Sequence, residues 1–209
     1  MTNELNPGLI IILGALLVPL LPGRVLRGAY MLLLPIAAFA YLMGLPMGEM
    51  GQIEFMNLSL VTLRVDKLSF VFGTIFLIAT LLGVIYALHV GDWVQHTAGL
   101  IYSGSAIGAV FAGDFVTLFI FWEITAISSV FLVWASRNSS AMAAGLRYLV
   151  IQVGSGVILL AGVLIHYQQT GSIAFNAMGT ETLAGKLILI AFGIKCAFPL
   201  LHNWLQDAY

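Results

Sequence analysis

Two opposite charges lie deep in apolar runs of this sequence. Glu123 sits in Phe119-Ile120-Phe121-Trp122-Glu123-Ile124, and Lys195 in Gly193-Ile194-Lys195-Cys196. A charged side chain at the centre of a membrane helix costs about 2.5–3.5 kcal/mol on insertion scales, so such residues face a protein interior, a partner or a water path. A carboxylate can accept a proton and an ammonium can release one. At similar depth, the two types suit an ion pair that opens and closes, or a proton relay. Plainer readings stand beside this one. Glu123 could be a neutral carboxyl hydrogen-bonded to a neighbouring helix, and Lys195 could snorkel to a helix end.

Other polar residues surround this pair. Pro199 falls four residues after Lys195 and Gly193 two before it. A proline inside a helix removes a hydrogen bond and clashes with the preceding turn. A break there would expose carbonyls beside the lysine, as in the discontinuous helices of transporters; the alternative is an ordinary helix end at Pro199. His202 follows, with a side chain that exchanges protons near neutral pH, or a simple polar end residue. Trp122 adjoins Glu123 and is read as a supporting residue. Asp114, after Gly113, is expected to cap the helix that carries Glu123. His89, His96 and His166 read as loop or span-end residues. Gly154-Ser155-Gly156 is a small-residue patch suited to close helix packing.

The elements that must position these residues are membrane helices. Hydrophobic residues make up 61% of the 209, charged residues 8%, and the mean hydropathy is +1.04. Soluble domains carry about a quarter charged residues. A span needs about 20 apolar residues, and the apolar runs predict about seven, near 8–21, 29–45, 68–88, 97–112, 115–135, 141–167 and 183–201. The expected fold is therefore an all-α polytopic membrane protein, a single transmembrane domain over residues 1–209 with span 7 discontinuous. Residues 53–65 alternate and are rich in β-formers, which predicts a short hairpin with Asn57 near its turn. At 1.5 Å per residue, Glu123 lies about 13 Å beyond Asp114, and Lys195 about 18 Å beyond Leu183. Spans 5 and 7 run in the same direction, so both charges fall near the midplane. Arg24, Arg27, Arg137 and Arg147 fall on one side, which predicts an outside N-terminus. The start, 1–7, lacks the basic region of a cleaved signal peptide.

The net charge of −1 does not suggest nucleic acid, and a single cysteine, Cys196, leaves no internal disulfide or cysteine-ligated cluster. There is no phosphate-binding GxxxxGK[ST] loop and no HExxH. No cofactor and no metal site are expected, and no catalytic site is visible.

The run from Ala112 through Asp114 to Trp122-Glu123 resembles the span-5 signature of the antiporter-like subunits found in respiratory complex I, membrane-bound hydrogenases and multisubunit (Mrp-type) sodium/proton antiporters. The run Lys195-Cys196-Ala197-Phe198-Pro199-Leu200-Leu201-His202-Asn203-Trp204 is similar to the same family's span-7 lysine motif. The likeness extends over the chain, including Val65-Asp66-Lys67-Leu68-Ser69-Phe70, and is strongest to the D subunit of the Mrp-type antiporter, in its N-terminal half. The resemblance implies that Glu123 and Lys195 form a charge pair whose opening and closing moves protons along a polar axis, with His202 on the route. Two departures concern the helix break: Pro199 stands one place earlier than usual, and Gln206 stands where a proline is common. Family members have about twice as many spans, so another chain supplying the second repeat is an expected partner. The resemblance thus implies a proton-translocating subunit of a cation/proton antiporter or related energy-converting complex in the inner (cytoplasmic) membrane, handling protons and sodium beside other membrane subunits. The alternative is a non-conducting structural or assembly subunit of such a complex.

Overall fold

The computed structural model describes residues 4–55 and 57–208, without the Asp207 side chain. Met1–Asn3 of the leader reading, Met56 at the hairpin turn and Tyr209 lie outside the described residues. The chain forms two compact units, Met1–Gly113 and Asp114–Tyr209.

The first unit contains α1 (Pro7–Ala15), extended by a 3₁₀ turn at Val18–Leu20, then α2 (Arg24–Gly44), β1 (Gly48–Phe55), β2 (Leu58–Val65), α3 (Lys67–Ala87) and α4 (Trp93–Val110). The strands form the predicted hairpin, antiparallel from Gly48 opposite Val65 to Phe55 opposite Leu58. Asn57 holds the turn with φ 64°, a left-handed conformation that asparagine tolerates better than most residues. The helices are patterned for lipid. On α3, Ser69, Gly73, Leu77, Thr80 and Val84 point inward, while Leu68, Val71, Ile75, Ile78 and Leu82 are exposed. Those outward residues are all apolar, while the inward face mixes Ser69, Gly73 and Thr80 with Leu77 and Val84, unlike the polar exposed face of a soluble helix. Inside, Asn6 is fully buried and joins three elements. Its Oδ1 caps α1 at Gly8 N (3.0 Å), and its Nδ2 donates to Thr62 O (2.9 Å) and Gly108 O (3.1 Å).

The second unit contains α5 (Phe115–Val133), a 3₁₀ turn at Trp134–Ser136, then α6 (Ser139–Thr170), α7 (Leu183–Lys195) and the short α8 (Asn203–Ala208). Asp114 caps α5 through Thr117 N (2.7 Å) and Thr117 Oγ1 (2.9 Å), and a one-residue bridge to Ala174 ties that end to the α6–α7 connection. At 32 residues α6 is about 48 Å long, and it ends on Gly171 in the left-handed region, φ 69°, the usual glycine end of a helix. Gly162 lets α7 approach closely: a Cβ there would stand 2.8 Å from Ile188 Cγ1 and 3.1 Å from Ala184 O.

The seven expected spans correspond to α1–α7. Among the described residues, α2, α3, α5 with its 3₁₀ extension, and α6 are long and apolar enough to cross a membrane by themselves; Pro7–Leu20 is shorter. Span 7 is discontinuous as expected, but its helix ends at Lys195, four residues before Pro199. The terminus is a Schellman motif: Phe198 N–H donates to Gly193 O (2.8 Å) and Ala197 N–H to Ile194 O (3.2 Å), with Ala197 left-handed at φ 53°. That double bond stops a helix, and the proline comes too late to be the cause. Pro199 instead sits second in a turn closed by Leu201 N–H to Phe198 O (2.8 Å), with Leu200 at φ 76°, the backbone pattern of a type II turn. Of the carbonyls beside Lys195, Ile194 O is satisfied twice, since it also accepts from Trp204 Nε1 (3.0 Å).

At the start of α3, Asp66 and Ser69 form a reciprocal capping box, each side chain bonding the other's backbone N–H at 2.8 Å. The Ser69 N–H, and after it the Arg64 guanidinium at 3.0 Å, hold the Asp66 carboxyl below its ordinary pKa against the opposing effect of partial burial. A carboxylate depressed by folding contributes stability that is present above the unfolded pKa and lost as pH falls through the folded value. Asp66→Ala should therefore lower stability by about 1 kcal/mol at neutral pH. The deficit should shrink below about pH 4, as followed by thermal unfolding in detergent; a pH-independent deficit would refute the carboxylate cap.

Candidate site in the second unit

The site is built around Trp122. Its indole Nε1 donates to Ser155 Oγ on α6 (3.2 Å), and the Phe192 ring of α7 meets its face edge-on at 5.0 Å. Lys195, one turn beyond Phe192, lays its Nζ 4.9 Å from the centre of the Trp122 ring and donates to Trp122 O (3.2 Å). An ammonium over an indole is attracted by the ring quadrupole, and in the last turn of a helix it also meets favourable carbonyl dipoles. Three helices thus converge on one tryptophan, and the lysine is held by its backbone and its ring.

Glu123 projects from the next position of α5 toward α6. Its Oε1 is buried and has no hydrogen-bond partner. It lies where Gly156 has no side chain: a Cβ on Gly156 would stand 1.6 Å from that oxygen. The carboxyl and the ammonium are not in hydrogen-bond contact, since Lys195 bonds Trp122 O. They are close enough for each charge to act on the other through space. Lys195 stands in the last turn of α7 instead of mid-helix.

The other predicted residues lie further off. Asp114 is at the opposite end of α5 in its capping role, about 13 Å along the helix. Pro199 belongs to the turn after Lys195. His202 precedes α8, accepting from Leu205 N–H through its carbonyl (2.9 Å), while its ring has no hydrogen-bond partner among the described residues. His89 and His96 bond loop carbonyls, Tyr86 O and Val90 O. His166 differs from the span-end reading. It is buried against the Phe115 ring, and its Nε2 has no partner.

Phe192, Ser155 and Gly156 were not singled out from sequence as part of this site. Within Gly154-Ser155-Gly156, read only as a packing patch, Gly154 faces open space, Ser155 receives the indole and Gly156 houses the carboxyl. The useful signal was the i, i+4 spacing with Gln152, which puts an amide on the same face one turn away. Because Gly156 meets the far end of a flexible side chain, Gly156→Ala should leave folding nearly intact while turning the Glu123 carboxyl away. The thermal midpoint in detergent should therefore stay near that of the unsubstituted chain; a fall of several degrees would mean that the carboxyl cannot turn aside.

Residues 112–209 match the family described as NADH:quinone oxidoreductase/Mrp antiporter, TM. The chain is 32% identical over 167 residues to NAD(P)H-quinone oxidoreductase chain 5 of Picosynechococcus sp., covering 69% of this chain and 25% of that protein. It is 32% identical over 122 residues to the A subunit of the Na(+)/H(+) antiporter of Bacillus subtilis, covering 52% of this chain and 15% of that protein. The antiporter relative here is thus of the A type, where the motifs pointed to the D type. In fold, a chain of the Mrp complex from Dietzia sp. DQ12-45-1b superposes with TM-score 0.80 at 22% identity, over 97% of this chain and 24% of that one. The chain therefore spans a quarter or less of the lengths of these relatives. Residues 112–209, which hold Glu123 and Lys195, thus resemble the transmembrane domain of the NADH:quinone oxidoreductase/Mrp antiporter family, and the chain is a membrane protein homologous to Mrp antiporter and complex I subunits.

Proposed function

We propose that this chain is a proton-translocating subunit of a cation/proton antiporter or a related energy-converting complex of the cytoplasmic membrane, working beside other membrane subunits. The observation that carries the reading is the placement of Glu123 and Lys195. Two costly charges converge on one tryptophan, each held ready but not neutralised by the other. An ion pair locked by direct contact would have to break before a proton could move. Here Lys195 bonds Trp122 O instead of the Glu123 carboxyl, so protonation of Glu123 changes the field at Lys195 without a broken bond. Such a switch needs two states only a few kcal/mol apart. In this reading Glu123 is the proton acceptor, Lys195 the relay cation and His202 a later station on the route; Trp122 supports the pair, Pro199 shapes the turn after it and Asp114 caps its helix. Protons are the transported species, with sodium as the counter-ion where the complex is an antiporter.

The rival reading is a structural subunit that keeps the motifs without conducting. Proton uptake by inverted membrane vesicles containing the assembled complex separates the two. With Glu123→Gln, a conducting subunit should lose nearly all flux at unchanged complex abundance, whereas a structural one should lose none.

A further inference from the structure

Four turns of α6 present one face to α5: Ala144, Tyr148, Gln152 and the Ser155-Gly156 pair, each about 6 Å from the next along the axis. All are buried. The Tyr148 hydroxyl bonds Ser129 Oγ on α5 at 2.6 Å, and the Trp204 ring of α8 covers it edge-on at 5.4 Å. Below Tyr148, Ala144 lines a cleft of about 280 Å³ at the α5–α6 turn, with Ser136, Asn138 and Ser140 on its walls. Above Tyr148 comes Gln152, 1% exposed, with neither amide atom hydrogen-bonded. One turn further, Gly156 faces Glu123 Oε1. A buried amide left without hydrogen bonds is costly, and Gln152 could be leucine if packing alone mattered.

We propose that this α5–α6 seam is the proton-access route to Glu123, leading from the cleft past Ser129–Tyr148 to Gln152. The inference rests on Glu123 being the proton acceptor. Water carries the proton, and the Gln152 amide orients it, accepting a hydrogen bond at Oε1 and donating from Nε2. A hydronium in the cleft gives up one proton, each link passes one on, Gln152 ends unchanged, and the Glu123 carboxylate ends as the acid. Gln152 is a positioning residue, because it neither gains nor loses a proton. Its amide suits that role, since it both donates and accepts, and it adds no charge that would compete with Lys195.

The test uses proton flux in membrane vesicles containing the assembled complex. Gln152→Leu, similar in volume, should cut flux at least tenfold at unchanged complex abundance, and Gln152→Glu should retain more than a third of it. Should the leucine variant not assemble, the cleft decides. Ala144→Cys treated on both membrane faces with a charged methanethiosulfonate should lose at least fivefold more flux than the parent chain treated alike, with lipid-facing Leu146→Cys unaffected. Flux above half of wild type in Gln152→Leu, or no block at Ala144→Cys, would overturn the route. Glu123→Gln is measured alongside. If it is inactive while Gln152→Leu conducts normally, the route is wrong and Glu123 keeps its role; if it conducts, the role of Glu123 falls as well.

Discussion

Glu123→Gln and Lys195→Met should each abolish transport by the assembled complex, and the double variant should be no worse than either. The geometry also makes the stability effects unequal. Lys195→Met removes a hydrogen bond to Trp122 O at 3.2 Å and an ammonium held over the Trp122 ring. Glu123→Gln removes a charge whose Oε1 has no partner to lose. The lysine variant should therefore be the less stable of the two in detergent. Because the charges act on each other through space, the double variant should depart from additivity by about 0.5–3 kcal/mol, with part of the loss recovered when both charges are gone. The measurement is a double-mutant cycle on flux and on thermal midpoint. Wild-type flux in either single variant would reject the relay. Strict additivity in stability would show that the two charges do not sense each other.

The second large effect belongs to the first unit. Gly8 on α1 meets the backbone of α4 directly: a Cβ would stand 2.2 Å from Gly104 O and 2.5 Å from Gly108 N. Gly104 and Gly108 form a small-xxx-small pair of the kind that lets membrane helices approach closely. Here the obstacle is backbone, which cannot rotate aside as a side chain can. Gly8→Ala should force the two helices apart and cost at least the upper part of the about 1–3 kcal/mol typical of overpacking. It also threatens the Asn6 hydrogen bond to Gly108 O at 3.1 Å. Gly99→Ala on the same helix is the control, since nothing lies within 4 Å of that position. The thermal midpoint of the purified chain should fall for the first and hold for the second. Equal midpoints would mean that α1 and α4 do not pack as described.

Residue type and spacing carried the reading of the helices and the hairpin, and placed the two charges by their distance from a span end. Depth is a linear property, recoverable by counting residues from a span end. The azimuth of a side chain is not, because in a membrane helix apolar residues cover both the lipid face and the packed face. Thus Gln152 was invisible as a buried residue until its neighbours were placed, and Gly156 looked like any packing glycine. The end of α7 was misplaced for a different reason. Proline is a strong signal and drew the break to itself, whereas Ala197 in the left-handed region gives none: glycine is the expected residue there. The fold of the second unit was therefore more legible than its site, whose deciding features are one missing Cβ and one unpaired amide.

The hairpin has an asymmetric outline. Arg64 N–H donates to Phe111 O (2.7 Å) and Gly113 N–H to Val61 O (2.9 Å), so the chain leaving α4 occupies the outer side of β2. On β1 the exposed Glu49 and Glu54 carry negative charge. Unpaired strand edges are where chains add to one another, and charge on them discourages it. A neighbouring polypeptide that extended this ribbon along β1 would meet that negative border, while the chain at Phe111–Gly113 already occupies β2 between Val61 and Arg64.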